Sequence, residues 1–172
     1  VDNPFYIMGT GSRSMVNHPH AKQIYEGLRD FLVEAYARNP NIVLISGLAE
    51  GWDEAVAKVG MREGIPYIAA IPNSGYGEYY WARKSQTGHN RISVFNELVA
   101  SAQEVVYVCD TLYVNGVHSN FIRNSWMVDR ANEAVVYMAH SSGTRDAVAK
   151  LSALKIPYTT FDSTGQFQRV LF

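Results

Sequence analysis

With 172 residues, 47% of them hydrophobic and 18% charged, the chain carries enough apolar material for one packed domain spanning residues 1–172. A formal net charge of −1 gives no bulk attraction to DNA or to an acidic membrane, and the single cysteine, Cys109, excludes an internal disulfide. No apolar run approaches the ~20 residues of a membrane span and no signal peptide is visible, so a reducing cytoplasm is the expected compartment.

Asn3 to Met8 reads as the first strand, and its apolar run breaks at Gly9-Thr10-Gly11-Ser12-Arg13-Ser14. Ile24, Leu28, Phe31, Leu32 and Ala35 recur at helical spacing and predict a helix over His18 to Arg38, ended by Asn39-Pro40. Asn41 to Ser46 is a second strand. It is continuously apolar, as strands of a parallel sheet covered on both faces are. The glycine turn Ser46-Gly47-Leu48-Ala49-Glu50-Gly51 follows, then a helix over Trp52 to Glu63 with Gly64 placed to cap it. Pro66 to Ile71 is a third strand, Pro72 to Arg91 an irregular stretch rich in Tyr, Gly and Trp, and Ile92 to Ala102 a helix. Glu104 to Cys109 is a fourth strand, Asp110 to His118 a loop, Ser119 to Asn132 a helix and Ala134 to Met138 a fifth strand. A third glycine turn, Ser141-Ser142-Gly143-Thr144, opens a helix over Gly143 to Leu154, and Pro157 to Phe161 is a short last strand. This alternation predicts an α/β class, a Rossmann-like doubly wound domain with a mostly parallel sheet. All three glycine turns then sit at the carboxyl edge of the strands, where such folds bind ligands.

Backbone amides in such turns, backed by helix N-termini, suit phosphate. Gly9, Thr10, Gly11, Ser12 and Arg13 form the first candidate anion site; Ser46, Gly47 and Gly51 form the second; Ser142, Gly143 and Thr144 form the third. The first turn is not a dinucleotide fingerprint. Ser14 stands where a third glycine belongs, and the second strand ends in Ile45-Ser46 without an acidic residue. Asp53 either caps its helix or holds ribose hydroxyls, a role also open to Asp129. Glu50, Asp53 and Asp129 are the carboxylates available for acid/base work. Arg123, Met127 and Arg130 share one helix face, with Asn124 beside them, and Arg123 is expected to clamp an anion while contributing little to the core. Tyr76, Tyr79, Tyr80 and Trp81 suit base stacking, a satellite core or a subunit contact. His18, His20, His89, His118 and His140 show no metal-ligand spacing, so no metal and no resident cofactor are expected.

Taken together, Gly11-Ser12-Arg13, Ser46-Gly47 with Gly51 and Asp53, Ile71-Pro72 with Trp81, Arg123-Asn124 followed by Trp126-Met127-Val128-Asp129, and Gly143-Thr144 resemble the YpsA-like branch of the SLOG superfamily. That superfamily also holds the DNA-processing protein DprA and the Lonely Guy phosphoribohydrolases. The resemblance implies a Rossmann-like fold binding a nucleotide-derived small molecule at the strand ends, in a homodimer or larger assembly. It also matches Met127 and Arg130 to a phosphoribohydrolase Met-x-x-Arg motif. The hydrolases' catalytic glutamate is replaced by Ala147, with Asp146 one residue off and about 100° around the helix. A binding module is therefore the first expectation, and an N-glycosidase or phosphoribohydrolase with a relocated carboxylate the second. A DprA-like single-strand DNA binder is third. Nucleic acid is set down as an unlikely partner because no basic stripe accompanies the near-neutral charge.

Overall fold

Strands that are apolar on both faces need helices on both sides of their sheet, and the chain supplies them in that order. The computed structural model describes residues 3–137 and 141–172. Met138 and His140, at the end of the fifth predicted strand and just before the third glycine turn, lie outside the described residues.

The elements in chain order are β1 (Phe5–Gly11), α1 (Ala21–Arg38), β2 (Ile42–Ser46), α2 (Trp52–Glu63), β3 (Tyr67–Ile71), α3 (Ile92–Ser101), β4 (Glu104–Tyr107), β5 (Tyr113–Val114), β6 (Val117–His118), α4 (Ser119–Arg130), β7 (Glu133–Tyr137), α5 (Ser142–Ala153), β8 (Tyr158–Phe161) and β9 (Phe167–Val170). Seven strands form one sheet in the order β4-β3-β2-β1-β7-β8-β9, parallel except for β9, and β5 pairs with β6 in a separate hairpin. The doubly wound α/β class expected from the alternation is thus present. β1 is central, with β2 and β7 as its two neighbours.

Adjacent residues of each strand feed opposite cores. Ile7 and Leu44 pack with Leu28, Trp52 and Phe95 under α1, α2 and α3, while Met8, Ile45 and Val136 pack with Met127, Ala147 and Leu151 under α4 and α5. Cys109 is buried, as its apolar neighbourhood suggests. No helix is long and apolar enough to cross a membrane.

Several boundaries differ from the sequence expectation, each for a physical reason. β1 runs on through Gly9-Thr10-Gly11 instead of turning there, because Gly11 pairs with Tyr137 of β7. Those glycines are places where α2 rests on the strand: a Cβ on Gly9 would strike Val56, and one on Gly11 would strike Trp52. The turn comes at Ser12, which starts a 3-10 segment over Arg13–Asn17, and α1 begins only at Ala21. Gly77–Arg83 forms a π-helical turn inside the stretch taken as irregular. Its Trp81 is fully buried, with the indole donating to Leu48 O at 2.8 Å, so Tyr79-Tyr80-Trp81 is not the apolar surface expected for a subunit contact; Tyr79 alone of the three is exposed. β9 was not anticipated. It is an edge strand laid antiparallel on β8 after a turn at Gly165.

Candidate functional site

The sheet changes winding direction between β1 and β7, which makes the crevice beyond their carboxyl ends the expected ligand position. A cavity of about 660 Å³ lies there. Thr10 and Gly11 of β1 line it, together with Ala49 of the β2–α2 turn, Asp53 in the first turn of α2, Tyr76 and Arg13. Opposite stand the β5–β6 hairpin, the first turns of α4 and Ser141, Ser142, Gly143 and Thr144 at the start of α5.

Asp53 does not cap α2. The cap lies two residues earlier, at Gly51, and Glu54 Oε1 accepts the Gly51 amide at 3.2 Å. Asp53 is 5% exposed and its Oδ1 is shut from water with no hydrogen-bond partner among the described residues. Burial pushes its carboxyl up to about 6, against the opposing pull of Arg123, the Ala49 and Gly11 amides and Arg13. Those amides lie near enough to favour the charge, yet neither completes a hydrogen bond to Oδ1. Ser46 does not reach the cavity; its hydroxyl donates to Asp53 O at 2.7 Å and accepts the Leu48 amide, holding Leu48 at φ 52 in the turn.

Arg123 is also 5% exposed. Its Nη1 donates to Gly47 O and its Nε to Asn124 Oδ1 at 3.3 Å, and Ala70 O lies 3.4 Å from Nη1. It therefore ties α4 to the ends of β2 and β3, and the expectation that it contributes little to the core is corrected. Gly47 is required by this approach: a Cβ there would collide with both Arg123 Nη1 and Asp53 Oδ2. The two buried charges feel each other across Gly47 but form no direct salt bridge among the described residues. Tyr76 stacks near the guanidinium, 5.9 Å from its ring centre, and burial pushes its phenol up to about 12. Arg13 is exposed at the mouth over the ring of Tyr80.

Asn124 couples the two helices, donating from Nδ2 to Gly143 O at 3.1 Å and to Asp146 Oδ2 at 3.2 Å. Ser141 caps α5 by accepting the Thr144 amide, and the first turn of α5 borders the cavity with amides that have no partner inside the helix. Asp146 is bound by Lys150 at 2.8 Å as well as Asn124, and Ala147 is core.

The remaining candidates lie elsewhere. Glu50 is buried away from the cavity, accepting from Ser85 Oγ, the Gln86 amide and Arg91 Nη1, each at 2.7 Å. Gly51, at φ 82, packs on the Ser12 and Arg13 carbonyls, and the Ser12 hydroxyl caps its own 3-10 segment. Met127 is core. Arg130 and Asp129 are exposed at the far end of α4, with Arg130 3.8 Å from the centre of the Trp126 ring. The Met-x-x-Arg correspondence thus does not bring an arginine to the cavity; Arg123, nearer the start of α4, stands there instead. Sequence reasoning left out the hairpin, His118 and Asn120. Asn115-Gly116 between Val114 and Val117 is the signal that would have found the hairpin, since a two-residue turn with both φ values positive demands those residue types. Among the described residues no cluster of His, Cys, Asp and Glu could hold a metal ion.

Fold and crevice together are those of a doubly wound α/β domain with a cavity at the carboxyl edge of its sheet, and solved proteins share that fold. No protein-family model and no curated protein matches the sequence. Solved structures do. DNA processing protein A from Streptococcus pneumoniae is 16% identical with a TM-score of 0.61, over 94% of this chain and 50% of that one. DNA processing protein A from Helicobacter pylori, whose structure describes its single-stranded DNA binding mode, is 18% identical with a TM-score of 0.60, over 93% and 66%. The structural-genomics target TM1055 is 14% identical with a TM-score of 0.58, over 90% and 72%. The chain thus spans half the length of the first of these. The expectation that nucleic acid is an unlikely partner is overturned by this likeness: a protein of the same fold binds single-stranded DNA.

Proposed function

We propose that the cavity between β1 and β7 binds a nucleotide or a nucleotide-derived ligand such as a nucleoside phosphate or ADP-ribose, and that the protein serves as an intracellular sensor, carrier or sequestering module. One observation carries the reading. Two buried opposite charges, Asp53 and Arg123, stand apart at the ligand edge of the sheet, one with an unpartnered oxygen. A carboxylate of this kind takes ribose hydroxyls, while the first turn of α5 and Arg13 offer donors to phosphate. The single-stranded DNA binding of a protein with this fold supports including nucleotides carried on a strand among the ligands. Assembly as a homodimer or larger belongs to the same reading, and light scattering that finds only monomer refutes that part.

A second reading is favoured by Asp53 alone. A cavity-lining carboxyl pushed up to about 6 is suited to take or give a proton near neutrality, as hydrolysis of an N-glycosidic bond requires. Calorimetry with AMP, ADP-ribose and a single-stranded oligonucleotide tests binding, and chromatography of the same mixtures tests for released base. Binding without release supports the module. Release that Asp53→Asn abolishes supports the enzyme, and no binding by any of the three removes the reading altogether.

A further inference from the structure

The β5–β6 hairpin is a separate two-stranded sheet, and nothing in the binding reading above uses it. It is built to be rigid. A tight Asn115-Gly116 turn joins its strands, Thr111 Oγ1 donates to Tyr113 O at 2.7 Å, and the Ser119 amide donates to Leu112 O at 2.8 Å. It carries aromatic surface to the cavity. Tyr113 is 58% exposed, and its ring stands edge-on to His118 at 5.1 Å; His118 in turn stands edge-on to Phe121 at 6.4 Å. All three residues line the cavity.

The polar atoms on this wall are fixed in kind. His118 Nδ1 accepts the Asn120 amide at 3.0 Å and so caps α4, which leaves Nε2–H as the imidazole's donor. Burial and the Arg123 charge lower the His118 pKa, which favours the neutral ring. Asn120 also lines the cavity, and its Oδ1 is buried with no partner among the described residues. An unpaired buried acceptor destabilises the empty site, and a turn of the Asn120 amide that brings it to the cavity face lets a ligand N–H relieve that cost. Exposed aromatic faces beside a donor and an acceptor are the chemistry that recognises a flat heterocycle.

We propose that the hairpin and the first turn of α4 form a nucleobase subsite, in which a base stacks on Tyr113 and hydrogen-bonds Asn120 and His118. This rests on the nucleotide reading above and adds to it the end of the cavity at which the base lies and the side chains that hold it. The base is carried either by a free mononucleotide or by a single strand. Asp53 and the start of α5 are left to ribose and phosphate.

The test compares AMP, ribose 5-phosphate and a short single-stranded oligodeoxyadenylate by calorimetry on the wild type, Tyr113→Ala, Tyr113→Phe and Asn120→Ala. AMP is expected to bind more tightly than ribose 5-phosphate. Tyr113→Ala is expected to weaken AMP or the oligomer roughly ten- to a hundredfold, as loss of one stacked aromatic does, with ribose 5-phosphate unchanged. Tyr113→Phe keeps the stack and the affinity, and Asn120→Ala costs roughly fivefold. A loss confined to AMP assigns the subsite to a mononucleotide, and one confined to the oligomer assigns it to a strand. Equal affinity for AMP and ribose 5-phosphate, or equal weakening of both by Tyr113→Ala, overturns the subsite and leaves the cavity's role standing. Failure of all three probes overturns both.

Discussion

Two arginines stand against carboxylates of the β2–α2 turn and the first turn of α2, and they do so in opposite ways. Arg91 reaches Glu50 at 2.7 Å and also bonds both oxygens of Glu54, which Lys58 approaches from the other side, while its guanidinium lies over the Trp81 ring. Every oxygen of that cluster is engaged. Burial would raise the Glu54 pKa, but the Arg91 hydrogen bond and Lys58 outweigh it and hold it low. Asp53, between these two glutamates in sequence, faces Arg123 without touching it, keeps an unpartnered oxygen and is pushed up to about 6. A saturated ion cluster clamps the 77–91 segment to the turn. An unsaturated one at a cavity leaves bonding capacity that the fold does not use. Identity of residue type says nothing here; satisfaction of each oxygen separates scaffold from site.

The contrast breaks most visibly at Arg91. Arg91→Ala leaves Glu50 and Glu54 buried without their cation and is expected to lower stability by about 3–5 kcal/mol in urea unfolding, with ligand affinity retained by the protein that remains folded. Asp53→Asn removes a proton-binding group. Asp53 binds its proton more tightly folded, at about 6, than at its ordinary 3.8, so its contribution to stability is complete below pH 3.8 and is lost as pH rises through 6. The wild type should therefore lose about 3 kcal/mol relative to Asp53→Asn between those limits. Parallel pH series of urea melts that run level would show that Asp53 is not perturbed. Arg123→Lys loses the planar fork that spans Gly47 O and Asn124, and should cost about 1.5–3 kcal/mol of stability. An affinity loss beyond that expected from the unfolded fraction would place ligand on the guanidinium itself. The smallest effect is expected at Ser141→Ala, where loss of the α5 cap costs about 1 kcal/mol by thermal melting.

Much of this architecture is written in local pattern. The stripe Ile24, Leu28, Leu32 and the continuous Ile42–Ile45 run are enforced by burial, and both appear in the core as their periodicity implies. Asp53, Arg123, Asn124 and the Ser141–Thr144 turn are legible from residue type near strand ends and helix starts, and they line one cavity. What failed to show depends on contacts distant in sequence. Gly9 and Gly11 resemble a phosphate turn in isolation, and only Val56 and Trp52 of α2 explain why small residues stand in a strand. Glu50 looks as available as Asp53 until Ser85, Gln86 and Arg91 arrive from 35 to 41 residues away. Arg130 sits on the same helix face as Arg123, but seven residues further from the ligand edge, about 10 Å along the axis.

The placement of β1 has a consequence for how the protein comes into being. Thr10 and Gly11 lie beside Val136 and Tyr137, so the two strand ends that frame the crevice are separated by 126 positions of sequence. Strands β1 to β4 and their helices can collapse together while the ribosome still holds the remainder, but the crevice has only one wall until β7 docks. Closing so long a loop is slow, and until it happens the free edge of β1 is open to pairing with other chains. On the proposed binding reading, a ligand meets a finished site or none, and saturating AMP added during refolding should raise the yield of folded protein without hastening the formation of the β1–β4 half.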